Sequence, residues 1–246
     1  MDYGAHIDAV ERDTAALAEA LRGPLDARVP TCPDWTLADL ADHVGGFTAF
    51  WTHVLCEGAG RPKTSFPDRP SGAAAGEWYA ELAGHLLAEL RASRPDTPVW
   101  TWAPDDQSAG FVARRAAHEL AVHRFDAQLA GGKADPIDAA LAADGIEEIF
   151  TMIAVAEAVP ARRDRVGRGE GQTLHLHGTD RSDEWLLTLS PDGVEVDRRH
   201  GKGDLALRGA VSDLELVLYR RPPLGEVERF GDGDALQAWY RVFTFG

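Results

Sequence analysis

The sequence predicts a two-domain α+β chain, with a helical domain over residues 1–160 and a small α+β domain over residues 170–246. Three observations lead to this reading. Apolar residues recur every three or four positions as far as Val159, the period of helices that bury one face. Beyond residue 170 the period falls to two, as in Thr173-Leu174-His175-Leu176-His177, which is how a half-buried strand reads. Between the two regions lies Pro160-Ala161-Arg162-Arg163-Asp164-Arg165-Val166-Gly167-Arg168-Gly169, a polar, glycine-spaced run expected to be the linker.

The elements follow in order. Ile7, Val10, Thr14, Leu17 and Leu21 mark a first helix that Gly23-Pro24 stops. A stiff, proline-set connection, Val29-Pro30-Thr31-Cys32-Pro33-Asp34-Trp35, leads to Thr36, which with Asp39 three residues on has the form of a capping box opening helix two. Gly58 to Gly76 reads as a long loop, and Trp78, Leu82, Leu86 and Leu90 as a third helix ended by Arg94-Pro95. A loop with Trp100, Trp102 and Pro104 precedes a fourth helix from about Ala109 to Ala130, stopped by Gly131-Gly132. Asp135-Pro136 is expected to cap a fifth helix that runs to about Val159. In the second region, Trp185–Leu189 and Val194–Val196 flank Ser190-Pro191-Asp192-Gly193, a hairpin turn. Ser212 is expected to cap a helix over Leu214–Tyr219, and Asp234–Tyr240 reads as a closing helix.

Composition narrows the classes of function. A net charge of −15, from 25 basic and 40 acidic residues, argues against a nucleic-acid or anionic-membrane surface. Two cysteines, Cys32 and Cys56, are too few for a disulfide framework or a four-thiolate zinc site. No apolar run approaches the ~18 residues of a membrane span, and residues 1–6 lack the basic and apolar segments of a signal peptide. The expected setting is the cytoplasm, with neither membrane nor nucleic acid as partner.

The fourth helix carries the most chemistry. Glu119 and His123 are four residues apart, so they lie one turn apart on one helix face. The neighbours on that face are Val112, Ala116, Leu120, Ala127 and Ala130, and a carboxylate buried there without a partner would be costly. A divalent cation is such a partner. His43 interrupts another apolar face, formed by Leu40, Phe47, Phe50 and Val54, and supplies a third ligand type. Three protein ligands with one open position is the pattern of a working metal. His118 with Glu119 suggests the metalloprotease motif, but three residues rather than two separate Glu119 from His123, so that motif is absent.

Four segments resemble the mycothiol-dependent maleylpyruvate isomerase family: residues 29–36, Leu40-Ala41-Asp42-His43-Val44-Gly45, His118-Glu119-Leu120-Ala121-Val122-His123-Arg124-Phe125-Asp126, and Asp213-Leu214-Glu215-Leu216-Val217-Leu218-Tyr219-Arg220. The resemblance implies a DinB-like metal-binding four-helix bundle followed by a small C-terminal α+β domain. It also implies metal ligation at His43, Glu119 and His123, mycothiol as co-substrate, and a small-molecule substrate. The expected activity is a metal-dependent, thiol-using isomerase or S-transferase acting on a small, anionic, unsaturated substrate, with zinc the favoured ion. Arg220, at the place the family pattern marks, is the expected catalytic clamp for a substrate carboxylate. The alternatives are a hydrolase that activates water on the same metal and a non-enzymatic metal-binding regulatory module.

The remaining residues have plainer readings. Arg124 and Asp126 are expected in helix-surface ion pairs, with orientation of an imidazole as the other role for Asp126. Cys32 is expected to pack, His118 to lie behind the site or at the surface, and His175 and His177 to be exposed on a strand. The tryptophans are expected to anchor cores and loops, one or two of them walling a pocket.

Overall fold

The structure is a computed structural model that describes residues 1–60, 68–69, 74–159, 166–231 and 233–244. Among the described residues, seven helices and five strands follow one another as α1 (Tyr3–Ala20), α2 (Leu37–Glu57), α3 (Ala75–Ala92), α4 (Ala109–Ala130), α5 (Ala139–Ala158), β1 (Gln172–Gly178), β2 (Glu184–Ser190), β3 (Gly193–Asp197), β4 (Leu205–Gly209), α6 (Val211–Leu218), β5 (Glu228–Gly231) and α7 (Asp234–Val242). The chain divides into two compact units, Met1–Ile137 and Asp138–Gly246.

The first unit is a four-helix bundle in which α1 packs on α3 and α4 and α2 packs on the same two helices. Each helix starts and stops for local reasons. Thr36 caps α2 by accepting from the Asp39 amide, while the Asp39 carboxylate accepts from the Thr36 amide, so two orphan donors are satisfied reciprocally. Ser108 caps α4 by accepting from the Phe111 amide, and Gly132, at φ +90°, turns the chain away after it. Helix α4 is buried over most of its circumference, and its alanines at 109, 113, 116, 117, 121 and 127 permit close approach by its neighbours. Gly45 serves the same end on α2, since a Cβ there would meet the Trp78 ring at 2.1 Å.

The second unit holds a five-stranded sheet in the order β3-β2-β1-β4-β5. Only the β1–β4 pair is parallel; the others are antiparallel. The hairpin joining β2 to β3 pairs Ser190 with Gly193 across Pro191-Asp192, and Gly193 adopts φ +140°, which only glycine takes readily. Leu174, Leu176, Trp185, Leu187 and Leu189 are buried on the alternating pattern of a covered face. Trp239 of α7 is fully buried in this unit, and its indole donates to the Leu218 carbonyl at 3.0 Å.

Several expectations need correction. Helix α5 falls in the second unit, where it packs on α6 and β3, so the break comes at residue 138 rather than at the end of a 1–160 domain. An apolar helical face states that something must cover it without stating what. The expected linker lies in part, at residues 160–165, outside the described residues. Asp138 rather than Asp135 caps α5, accepting from the amides of Ala140 and Leu141. Ser212 sits inside α6, and the Val211 amide at its start donates instead to Asp180, a long-range partner that local reading does not reach. Strands β4 and β5 carry too few alternating residues to be read alone; they form because β1 offers β4 a paired edge.

Candidate metal centre

Helices α2 and α4 bring together the three side chains expected to bind metal. Nε2 of His43 lies 3.2 Å and Nε2 of His123 lies 3.4 Å from Oε1 of Glu119, and one ligand atom from each of the three residues is within 4.8 Å of the others. Ligand atoms arranged tetrahedrally at ~2.0–2.1 Å from a zinc-type ion stand roughly 3.3–3.4 Å apart. The two histidine–glutamate spacings therefore match such an ion, and the three ligand atoms are close enough together to share one. The site is graded in exposure: the His123 side chain is 8% exposed, Glu119 21% and His43 37%. It is closed toward α4 and open toward His43.

Two of the ligands, His123 and Glu119, are held from behind. Nδ1 of His123 is 3.0 Å from Oδ2 of Asp126, which is fully buried, and the hydroxyl of Thr31 donates to the other Asp126 oxygen at 2.6 Å. With Nδ1 donating to a carboxylate, Nε2 is the atom left for the metal. Arg115, one turn before Glu119, pairs with Oε2 and leaves Oε1 for the two histidines. Trp35, from the proline-set connection, lies with its ring centroid 4.9 Å from that of His43 and is stacked 6.2 Å from that of His123. Val29 and Trp35 close this connection into a loop by the Val29 amide donating to the Trp35 carbonyl.

Electrostatics follows from the pairing. Burial acts to raise the Glu119 carboxyl, but the Arg115 guanidinium and hydrogen bonds from His123 and His43 outweigh it and hold Glu119 well below the carboxylate range. Burial acts to lower His123, yet Asp126 and Glu119 prevail and raise it to about 9.

Other residues lie elsewhere than expected. Arg124 and Asp126 are buried, not at the surface. Arg124 pairs with Asp13 of α1 at 3.0 Å and donates to the carbonyls of Asp135 and Pro136, tying α4 to α1 and to the chain that follows α4. A helix buried nearly all round has no solvent face on which to place charges, so they pair inward. His118 is also buried, its ring 6.0 Å from that of His6. Arg115 and Thr31 went unread in the sequence. The first had a legible signal in its four-residue spacing to Glu119; the second meets Asp126 across 95 residues and had none. His175 is buried and His177 half-buried, against the expectation that both are exposed.

Arg220 follows α6 in the second unit and takes φ +62°. The Arg220 amide donates to Val217 and the Arg221 amide to Leu216, a Schellman ending whose left-handed position glycine normally occupies. The Arg220 side chain is exposed, donates to the Tyr240 carbonyl and lies 5.1 Å above the Tyr240 ring. Arg221 is buried and donates to the Tyr219 carbonyl at 2.8 Å.

The chain is similar to known proteins in its bundle and in its overall fold. The family described as the mycothiol maleylpyruvate isomerase N-terminal domain matches residues 7–128, a span that contains His43, Glu119 and His123. The likeness to this family lies in the amino-terminal unit. A crystal structure of the mycothiol-dependent maleylpyruvate isomerase is similar over 93% of this chain and 93% of its own, at 14% identity and a TM-score of 0.53. A histidine-to-alanine mutant of that isomerase matches over 88% of each chain, at 14% identity and a TM-score of 0.50. At that identity the likeness shows the fold, a bundle followed by an α+β part. No curated protein matches the sequence, and no helix among the described residues is long and apolar enough to cross a membrane.

Proposed function

We propose that the bundle of this chain is a metal-dependent, thiol-using isomerase that acts on a small, anionic substrate with an activated cis double bond, with mycothiol as the thiol. The observation that carries the reading is the His43–Glu119–His123 constellation, spaced for one ion and open on one side. A bound divalent ion, zinc by the donor set, would supply a Lewis-acid position at which a thiol is favoured as thiolate.

The chain's own residues divide the remaining work. Asp126 and Thr31 fix the His123 ring, so that Nε2 keeps its direction without rotamer search. Arg115 offsets the Glu119 charge in the buried part of the site. Trp35 walls one side against water and offers an apolar surface to the substrate's unsaturated carbons. Addition of the thiolate sulfur to one alkene carbon sends the π electrons into the conjugated carbonyl as an enolate. Rotation about the resulting single bond follows, and return of the electrons expels the thiolate and leaves the trans alkene. No oxidant and no net proton is needed. In the S-transferase form of the same chemistry, a proton is added at the other carbon and the adduct is the product.

Arg220 is the proposed clamp for a substrate carboxylate. Its support is the left-handed backbone that an arginine occupies at some conformational cost and a guanidinium held in place by Tyr240. Arg220→Lys keeps the charge but not the planar fork, so thiol-dependent turnover should fall by about tenfold or more with metal content unchanged. Equal turnover in the two proteins would remove Arg220 from the reading.

The deciding experiment is metal analysis of the purified protein followed by turnover of a cis-configured unsaturated dicarboxylate with and without mycothiol. Turnover that requires both metal and thiol is expected. Hydrolysis that proceeds equally without thiol, or metal retained by both the His123→Ala and Glu119→Ala proteins at this site, would overturn the proposal.

A further inference from the structure

The second unit carries another group of ligand-type side chains. His175 and His177 project from the same face of β1, and Glu184 of β2 is the direct cross-strand partner of His177. His200 joins them from the connection between β3 and β4. Oε2 of Glu184 lies 2.9 Å from Nε2 of His175 and 2.8 Å from Nδ1 of His200, and Oε1 lies 3.2 Å from Nδ1 of His177. One ligand atom from each of the four residues is within 4.8 Å of the other three.

The surroundings hold this arrangement. His175 is 4% exposed although it is on the sheet face opposite Leu174 and Leu176, and the His200 ring lies 5.0 Å from it, edge-on. The connection bearing His200 presses against the sheet at glycines. A Cβ at Gly203 would come within 3.0 Å of the His175 amide nitrogen and 2.9 Å of the Leu205 carbonyl, both backbone atoms that cannot give way. A Cβ at Gly201 would meet the Leu186 side chain at 2.7 Å. Arg208, beside His177 in register on β4, is paired with Glu228.

We propose that His175, His177, Glu184 and His200 form a second metal site, which takes a zinc-type divalent ion and staples the β3–β4 connection to the β1–β2 hairpin. Three imidazoles and one carboxylate suit an ion of intermediate softness and are poor for calcium or magnesium, which require oxygen. Four protein ligands complete a tetrahedral shell, so the role is structural, unlike the three-ligand centre in the bundle. The two nearest ligand pairs need to open by only a few tenths of an ångström to reach tetrahedral spacing.

The test uses full-length protein carrying His123→Ala, which removes the bundle centre from the measurement. After chelator treatment, zinc is titrated against a chromogenic competitor, and bound metal is counted. About one zinc per chain is expected. Adding His177→Ala and His200→Ala should weaken binding by more than the roughly 10- to 100-fold typical of losing an outer hydrogen-bonding partner. Both side chains are substantially exposed, at 33% and 77%, so the sheet core is spared, and circular dichroism checks this. X-ray absorption on the His123→Ala protein should show imidazole and oxygen ligands without sulfur. Absence of zinc from that protein would overturn the proposal, as would zinc held equally tightly after His177 and His200 are removed. Because the bundle centre is disabled throughout, its own success or failure does not enter the result.

Discussion

Asp126 is the residue whose position most changes what the sequence implied. Three residues beyond His123 on α4, it is fully buried, and with Thr31 it fixes the imidazole. Truncation to alanine should weaken metal affinity by roughly 10- to 100-fold, the usual effect of losing the partner behind a ligand, while His123→Ala should abolish binding at the bundle centre. Competitive titration distinguishes the two; an unchanged affinity in Asp126→Ala would leave the carboxylate with a packing role only. His123 also carries a pH signature. In the metal-free protein it is raised from 6.5 to about 9, so its pairing contributes stability in full below pH 6.5 and loses it as pH rises through about 9. Metal needs the neutral ring, so binding near pH 7 should release a proton and strengthen as pH rises. Calorimetry in buffers of different ionisation enthalpy measures that release, and a buffer-independent heat would contradict it.

At the scale of elements, α2 presents His43 and owes its start to the Thr36–Asp39 capping box. Thr36→Ala should cost about 1 kcal/mol, read as a lower urea midpoint with unchanged slope. Hydrogen bonds from the Thr36 side chain and amide hold Asp39 below its ordinary value. Its contribution is therefore present above the unfolded carboxylate range and lost as pH falls through the lower folded value. The difference between Thr36→Ala and the parent should shrink in acid; a constant difference would show that the cap acts without Asp39. Helix α4 illustrates a different constraint. Its alanines bring α1 and α2 close, and that closeness obliges Arg124, Asp126 and Arg115 to find partners inside the bundle.

For the molecule as a whole, the net charge of −15 sets the long-range field. An anionic substrate is repelled by that field until it is within reach of local cations. Raising ionic strength from low values toward physiological, where the Debye length shrinks to ~8 Å, should therefore raise kcat/KM for a dicarboxylate. A fall with added salt would mean that local cations dominate approach as well as binding.

Much of the molecule was legible from local pattern. The four bundle helices, the capping box, the Pro191-Asp192 hairpin and the four-residue spacing of Glu119 and His123 all arise from neighbours within a few positions. Backbone geometry acts at that range, which is why a sequence displays it. Tertiary structure decided what covers what. It assigned α5 to the second unit, buried Arg124 against Asp13, set Thr31 against Asp126 and gathered Glu184 and His200 around His175 and His177. These pairings join residues far apart along the chain, and burying a charged or polar group requires a partner without specifying which one. Only the packed chain makes that choice.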